Sequence, residues 1–150
     1  MAQEEAGLHA VAFVERSGGL REQLGRWHPG AQFRDGDGGV RVRRLAAYFD
    51  GDLGALAELP VLTDGTPFQR RVWDELRRIP VGQTISYAEL ARRIGKPKAM
   101  RAVGAANGKN PVAIVVPCHR VVAANGTLWG YGGGLPRKAW LLKHEGALLA

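Results

Sequence analysis

The chain of 150 residues contains one cysteine, Cys118, and this scarcity excludes several classes of protein. One cysteine cannot form an intrachain disulfide, and it is too few for a zinc site built on cysteines. No apolar run approaches the roughly 18 residues of a membrane-spanning helix. The N-terminus, MAQEEAGLHA, lacks the basic and then apolar pattern of a secretory signal. We therefore expect a cytoplasmic protein without a membrane partner, whose thiol stays reduced.

Acidic residues are scarce in the second half of the chain. Residues 1–65 hold seven Lys/Arg and ten Asp/Glu, a net charge of −3, whereas residues 66–150 hold fourteen and four, a net charge of +10. A basic region that includes the cysteine favours a polyanionic partner such as nucleic acid. A generally basic protein with a solvated surface is the alternative.

The distribution of secondary-structure signals predicts an α+β fold in two parts. In residues 1–62, alternation over 8–14 is typical of a strand, 17–19 of a turn and the spacing over 40–49 of a helix, so we expect a small, abbreviated α/β domain. Residues 53–63 resemble a linker. Residues 63–150 are expected to form a mostly helical domain.

Sharp capping signals define the helices of this second part. Thr66 before Pro67 predicts a helix that stops at Pro80, and the capping-box spacing of Ser86 and Glu89 predicts a second one. A third is expected over 97–107. The last two are joined by a Gly-Lys-Pro turn, which indicates a helix-turn-helix. A final helix is predicted over 136–145.

The predicted helix over 97–107 has small side chains nearly all round, including Ala102. Helices that read bases in the major groove usually carry long polar side chains, whereas a small-residue helix allows close backbone approach. Lys98 and Arg101 on the same element favour DNA as the partner. Tight packing against a neighbouring helix is the alternative.

Cys118 follows five consecutive apolar residues, Val112 to Val116, which predict a short core strand that breaks at Pro117. A thiol held at a strand end beside His119 is a candidate nucleophile. Adjacent side chains rarely face one another, so we expect a water to relay a proton between them. An inert buried cysteine and a core histidine are the alternatives.

Glu145 is the best candidate for the group that orients His119. The basic half has only four carboxylates, and the other three have local helical explanations. An acid at the end of the last predicted helix opposes the helix dipole, so its presence there requires another reason.

The string Pro117-Cys118-His119-Arg120-Val121 resembles the active-site motif of the O6-alkylguanine-DNA alkyltransferases, or methylated-DNA–protein-cysteine methyltransferases. The similarity extends over roughly residues 45–146. Further matching motifs occur in order and spacing at 66–69, 79–82, 86–87, 101–104, 110–111, 131–135 and 141–146.

This resemblance implies a reaction and a role for each matching residue. Cys118 would accept the alkyl group from guanine O6 by direct displacement, once and irreversibly. His119 would act as base through a water, and Glu145 would polarise it. No cofactor and no metal ion is implied; some members bind structural zinc near the N-terminus through cysteines, which this chain lacks.

The resemblance also implies how duplex DNA containing O6-alkylguanine would be bound. The small-residue helix would enter the minor groove, and the damaged nucleotide would be flipped out of the stack. Arg101 would fill the gap, and Tyr87 would donate a proton to guanine N3. Asn110 would brace the turn that carries the thiol. The base would be read and enclosed by the carbonyls of Cys118 and Val121 and by Tyr131 and Gly132.

Trp129 departs from the family pattern, because it occupies a position at the lip of the pocket where relatives usually have a small residue. We predict that it restricts bulky adducts such as benzyl. Two rivals remain: a helix-turn-helix regulator whose cysteine is buried or redox-sensing, and an alkyltransferase-like binder, whose members typically replace the cysteine. We expect a monomer that can cluster on DNA.

Overall fold

The computed structural model describes residues 1–13 and 19–148, and it begins with a small sheet and two helices. Strands β1 (Ala2–Glu4) and β2 (Gly7–Ala10) form an antiparallel hairpin, followed by helices α1 (Leu20–Trp27) and α2 (Gly39–Phe49). The helix predicted over 40–49 is confirmed as α2. The strand predicted over 8–14 ends at Ala10. Residue 14 of that prediction, and residues 17 and 18 of the predicted turn, lie outside the described residues.

The segment over 53–63 is more than the linker that the sequence suggests. Leu56 and Leu59 are buried, and the backbone beyond them runs beside β2. The Leu8 amide donates to the Pro60 carbonyl at 2.9 Å, and the Leu62 amide donates to the Leu8 carbonyl at 2.8 Å. This pairing holds the hairpin against the rest of the molecule.

The second part of the chain is mostly helical, as predicted. Its elements are α3 (Pro67–Leu76), β3 (Ile85–Ser86), α4 (Tyr87–Arg93), α5 (Met100–Gly108), β4 (Val121–Val122) and α6 (Leu135–His144), and β3 pairs with β4 in parallel. The first of these helices begins with a complete capping box, in which Thr66 and Gln69 exchange hydrogen bonds.

Helix α4 has only half of the capping box that the spacing suggests. The Ser86 hydroxyl accepts from the Glu89 amide at 3.0 Å. The Glu89 carboxylate instead accepts from Arg92 and Arg93 at 2.7 to 2.8 Å. The two arginines lie about one helical turn away, and their charged donors form stronger hydrogen bonds with the carboxylate than the Ser86 amide would.

Helix α5 begins three residues later than the sequence predicts. Its first residue is Met100, so Lys98 lies in the turn before the helix rather than on it. On the inner face of α5, Val103 and Ala106 are buried in the core with Val72 and Leu76 of α3. The small Ala106 lets the Trp73 indole reach its carbonyl, at 2.9 Å. The packing that was the alternative to DNA binding therefore accounts for this face, while Arg101 and Ala102 remain exposed.

The apolar run from Val112 to Val116 is buried apart from the partly exposed Ala113, but it is not the regular strand that was predicted. It folds as a tight turn in which the Val116 amide donates to the Val112 carbonyl at 2.9 Å, and single bridges join 113 to 116 and 11 to 112. Ile114 has a φ of +72°, a conformation that is rare for a β-branched residue. The apolar pattern predicted burial correctly, because a buried turn and a buried strand are both built from apolar residues.

A single hydrophobic cluster connects the two parts of the chain. Leu8, Tyr48 and Leu56 belong to the same cluster as Val72 and Val116. None of the helices among the described residues is long and apolar enough to cross a membrane.

Candidate active site

Cys118 begins a 3-10 turn (Cys118–Arg120) that connects the buried turn to β4. Its amide donates to the Val116 carbonyl at 2.8 Å, and only 6% of the residue is exposed. Burial raises the pKa of the Cys118 thiol, against the opposing effects of the Asn110 amide and of the Lys138 charge. The thiol is therefore protonated at neutral pH and needs a proton acceptor before it can act as a nucleophile.

His119 and Glu145 form a direct, fully buried pair. His119 Nε2 lies 2.8 Å from Glu145 Oε1. Burial lowers the pKa of His119, although Glu145 opposes the shift. The imidazole is then neutral at pH 7, and the carboxylate selects the tautomer that carries its proton on Nε2. Nδ1 is buried without a hydrogen-bond partner in the described part of the chain, so its lone pair can accept a proton.

Arg120 and Tyr48 complete this network, and the sequence reasoning did not include them among the site residues. Arg120 Nε donates to Glu145 Oε2 at 2.9 Å and its Nη2 to Oε1 at 2.8 Å, while its Nη1 donates to the Ile79 carbonyl at 2.6 Å. The Tyr48 hydroxyl donates to Oε1 at 2.8 Å. Arg120 stands beside His119 in the motif, but Tyr48 lies in a distant helix with no signal in the sequence that would find it.

The hydrogen bonds on Glu145 keep it ionised despite its burial. Burial by itself would raise the pKa of the carboxyl, but the bonds from His119 and Arg120 outweigh it and lower the pKa to about 2. An anion fixed 2.8 Å from Nε2 stabilises the imidazolium that forms when Nδ1 takes up a proton. The arrangement can therefore deprotonate a nearby thiol.

Two asparagines hold the backbone around the thiol. Asn110 Nδ2 donates to the Val116 carbonyl at 2.7 Å, and its Oδ1 accepts from the Val112 amide at 2.9 Å. Asn107, at the end of α5, has its Nδ2 3.4 Å from the Cys118 carbonyl. Asn107 was not predicted as a site residue. These contacts tie the thiol turn to the last residues of α5.

Tyr87, Trp129 and Lys138 meet at one side of the site. The Trp129 carbonyl accepts from the Tyr87 hydroxyl at 3.0 Å and from Lys138 Nζ at 2.7 Å. The Trp129 ring meets the Tyr87 ring edge-on at 6.3 Å between centroids and is 67% exposed. Burial raises the pKa of Tyr87, which keeps its hydroxyl protonated.

Lys138 is fully buried, and the sequence reasoning missed it. Burial lowers the pKa of its ammonium group to about 8, against the opposing effect of Cys118. A lysine after Pro136 in a predicted helix has the pattern of an exposed residue, so only the fold reveals it.

The remaining predicted residues differ in their burial. Val121 begins β4 and is buried, while Tyr131 is partly buried with a hydroxyl that has no partner among the described residues. Burial raises the pKa of that hydroxyl. Gly132 is exposed. The exposed predicted residues of the helix-turn-helix are Lys98, Arg101 and Ala102.

Comparison with known proteins identifies relatives of this site and fold. Residues 67–147 match the domain family described as 6-O-methylguanine DNA methyltransferase, DNA binding domain. The methylated-DNA–protein-cysteine methyltransferase of Shigella flexneri is 59% identical over 106 residues, which cover 71% of this chain and 62% of the relative. The match thus spans about three fifths of the length of that relative. The enzyme of the same name from Methanosarcina acetivorans is 45% identical over 148 residues, 98% of this chain and 90% of the relative.

Solved structures show the same relationship. A crystal structure of Mycobacterium tuberculosis O6-methylguanine methyltransferase matches with a TM-score of 0.78 and 40% identity, over 97% of this chain and 84% of that one. A crystal structure of Mycobacterium tuberculosis OGT in complex with DNA matches with a TM-score of 0.67 and 52% identity, over 71% and 66%.

Proposed function

The chain belongs to the methylated-DNA–protein-cysteine methyltransferase family, and we propose that it repairs DNA by moving the alkyl group of O6-alkylguanine onto Cys118. One observation carries this proposal: the only cysteine of the chain lies next to a buried, neutral histidine whose Nε2 is held by an ionised carboxylate. That arrangement suits a buried thiol whose raised pKa prevents it from ionising unaided.

The reaction we propose is a single displacement at carbon. A water passes the thiol proton of Cys118 to Nδ1 of His119, and Glu145 stabilises the resulting imidazolium. The thiolate then forms the S–C bond as the C–O6 bond breaks, and the electron pair of the broken bond moves onto the guanine ring. Tyr87 donates its proton to N3, so guanine leaves neutral. The thioether is stable, so each molecule reacts once.

We propose that duplex DNA lies against the helix-turn-helix formed by α4 and α5. The exposed positions of α5 include Arg101 and Ala102, and a surface of small side chains suits the minor groove, which is about 6 Å wide. Arg101 would occupy the gap left by the flipped nucleotide, and Lys98 would contact phosphate from the preceding turn. The net charge of +10 over residues 66–150 supports a polyanionic partner.

Further groups would hold the flipped base. The carbonyls of Cys118 and Val121 would accept from the guanine amino group, and Tyr131 and Gly132 would line the pocket. Asn110 would keep the thiol turn in place through its bonds to 112 and 116. We propose that the protein acts as a monomer in the cytoplasm, where a lone thiol stays reduced.

Mass spectrometry of the peptide that contains Cys118 tests this proposal. After incubation with duplex DNA containing O6-methylguanine, we expect that peptide to gain one methyl group, with one methyl transferred per protein molecule. The variant Cys118→Ala should still bind the DNA but gain no mass. DNA binding without any mass gain in the native protein would instead favour a lesion binder or a regulator.

A further inference from the structure

A group of three metal-binding side chains lies far from Cys118 along the chain, in the N-terminal part. His9 is on β2, His28 directly follows α1, and Asp64 precedes the cap of α3. One ligand atom from each lies within 4.8 Å of the others. Three separate elements therefore bring two imidazoles and a carboxylate to one point. We propose that His9, His28 and Asp64 bind a divalent transition-metal ion, with zinc as the best fit.

The distances between the ligand atoms suit such an ion. Asp64 Oδ2 lies 2.7 Å from His28 Nε2 and 3.7 Å from His9 Nδ1. Tetrahedral zinc, with bonds of about 2.0 to 2.2 Å, sets its ligand atoms roughly 3.3 Å apart. Small side-chain adjustments are therefore enough to close the site around an ion.

The two histidine nitrogens are also available for coordination. His9 Nδ1 and His28 Nε2 are buried, and neither has a well-directed hydrogen bond within the described ranges 1–13 and 19–148. Both nitrogens face Asp64 Oδ2 without a well-directed hydrogen bond to it, and a metal ion would satisfy the two nitrogens and the carboxylate at once.

Glu4 gives His9 the support that metal-bound histidines usually have. Its Oε2 lies 3.5 Å from His9 Nε2, the ring nitrogen that faces away from Asp64. A carboxylate behind the second nitrogen orients the ring and makes the first nitrogen a better ligand. His9 and His28 also line a cleft of about 640 Å³, through which an ion and a coordinating water can enter.

The chemistry of the ligands selects the metal class. Two imidazoles with one carboxylate suit zinc and its neighbours in the first transition row, whereas calcium and magnesium prefer sites made of oxygen atoms alone. No cysteine takes part. Three protein ligands and one water complete a four-coordinate ion.

A metal ion bound at this site would anchor helix α1 to the rest of the fold. Leu24 is the one fully buried side chain of α1, and Leu20 and Trp27 are only partly buried, so hydrophobic burial anchors this short helix incompletely. A metal ion would connect the end of α1 to β2 and to the segment that enters α3. Because the folded state alone presents this set of ligands, binding would stabilise the fold. The proposal does not depend on the alkyl-transfer reaction.

Titration of the tag-free protein with zinc chloride tests the proposal. We expect one equivalent to bind per chain and to raise the melting temperature, while magnesium chloride does neither. His9→Gln and Asp64→Asn should each weaken zinc binding by more than the 10- to 100-fold that loss of a supporting residue typically costs. Glu5→Gln, which changes a neighbouring exposed acid, should bind zinc normally.

A cobalt titration tests whether the Cys118 thiol takes part in metal binding, and circular dichroism shows whether the variants are folded. Cobalt(II) bound to nitrogen and oxygen shows visible ligand-field absorption, and a thiolate ligand would add an intense near-ultraviolet band. We expect the visible absorption without the thiolate band, in the native protein and equally in Cys118→Ala. The proposal is overturned if one equivalent fails to bind, if the thiolate band accompanies binding, or if His9→Gln and Asp64→Asn, folded by circular dichroism, still bind zinc normally.

Discussion

Glu145 receives hydrogen bonds from three different side chains, His119, Arg120 and Tyr48. The sequence indicates a special role for this residue because an acid at a helix C-terminus opposes the dipole. The structure supplies the physical reason for its presence, since the buried carboxylate is balanced by a guanidinium and fixed against the imidazole. Arg120 was overlooked because the motif showed it as a neighbour of the histidine, not as a partner of the carboxylate.

Trp129 leads to a prediction about substrate size. Its exposed ring lies beside Tyr87 at the edge of the site, so it should limit the space for the alkyl group. We expect the native protein to react faster with O6-methylguanine than with O6-benzylguanine in DNA. In Trp129→Gly the relative rate for benzyl should rise by about tenfold or more, the size of a typical steric discrimination.

Quenched-flow rates for the two adducts measure this ratio. Trp140→Ala, which removes another exposed tryptophan from α6, serves as the matched control. Equal benzyl and methyl rates in the native protein, unchanged in Trp129→Gly, would contradict the prediction.

Lys138 leads to a prediction about stability and pH. Its pKa is about 8 in the folded protein and about 10.4 in an unfolded chain, so between these values the unfolded state binds more protons. The free energy of unfolding contributed by this residue therefore rises as the pH increases from 8 to 10.4. Below pH 8 the buried charge is a cost, and Lys138→Met should stabilise the protein at pH 7 by about 1 to 3 kcal/mol.

Urea unfolding at several pH values measures the difference between Lys138→Met and the native protein. The advantage of the variant should shrink as the pH rises towards 10. Lys143→Met, an exposed lysine on the same helix, should show little effect at any pH. If the difference in the free energy of unfolding between Lys138→Met and the native protein did not change with pH, the lowered pKa of Lys138 would be contradicted.

Helix α5 has two faces with different roles. Val103, Ala106 and Asn107 are buried against the rest of the fold, while Arg101 and Ala102 are exposed. The small residues that suggested close approach to DNA also allow α5 to pack closely on α3, where Trp73 reaches the Ala106 carbonyl. The buried turn over 112–116 then carries the backbone from the end of α5 to the thiol.

Arg101 leads to a prediction about nucleotide flipping. If its side chain fills the gap in the duplex, Arg101→Ala should slow transfer from duplex DNA by about tenfold or more, because unstacking a base costs a few kcal/mol. The free base O6-benzylguanine needs no flipping, so its reaction rate should be unchanged.

Lys109→Ala is the matched control, since it removes the same charge from the other end of α5. This variant should weaken DNA binding modestly, but it should not slow the reaction with duplex DNA by the large factor expected for Arg101→Ala. Equal losses with duplex and free base in Arg101→Ala would show that the side chain acts on the site itself.

The site depends on residues from both parts of the chain. Tyr48 of α2 donates to Glu145 next to α6, and its carbonyl oxygen lies 2.6 Å from His144 Nε2. One hydrophobic cluster runs through both parts as well. The division into domains at residues 62 and 63 remains a prediction, but the N-terminal part contributes directly to the network around His119.

The variant Tyr48→Phe tests how much the hydrogen bond from Tyr48 to Glu145 stabilises the protein. A hydrogen bond to a charged group contributes about 1.5 to 3 kcal/mol, so we expect a loss of that size in the free energy of unfolding, with a single cooperative transition. Tyr131→Phe is the control, because it removes a buried hydroxyl that has no partner in the described residues. Thermal and urea unfolding give both values, and equal losses in the two variants would contradict the prediction.

Patterns in the sequence predicted the α+β composition, the approximate positions of helices α2 to α6 and the grouping of Cys118, His119 and Glu145, but not helix α1. These follow from local signals: capping residues, apolar periodicity and the spacing of a motif. Other features appear only in the fold: 112–116 is a turn, Arg120 and Tyr48 hold the carboxylate, Lys138 is buried, and His9, His28 and Asp64 lie together. Each of these depends on contacts between residues far apart in the chain, and local sequence carries no record of such contacts.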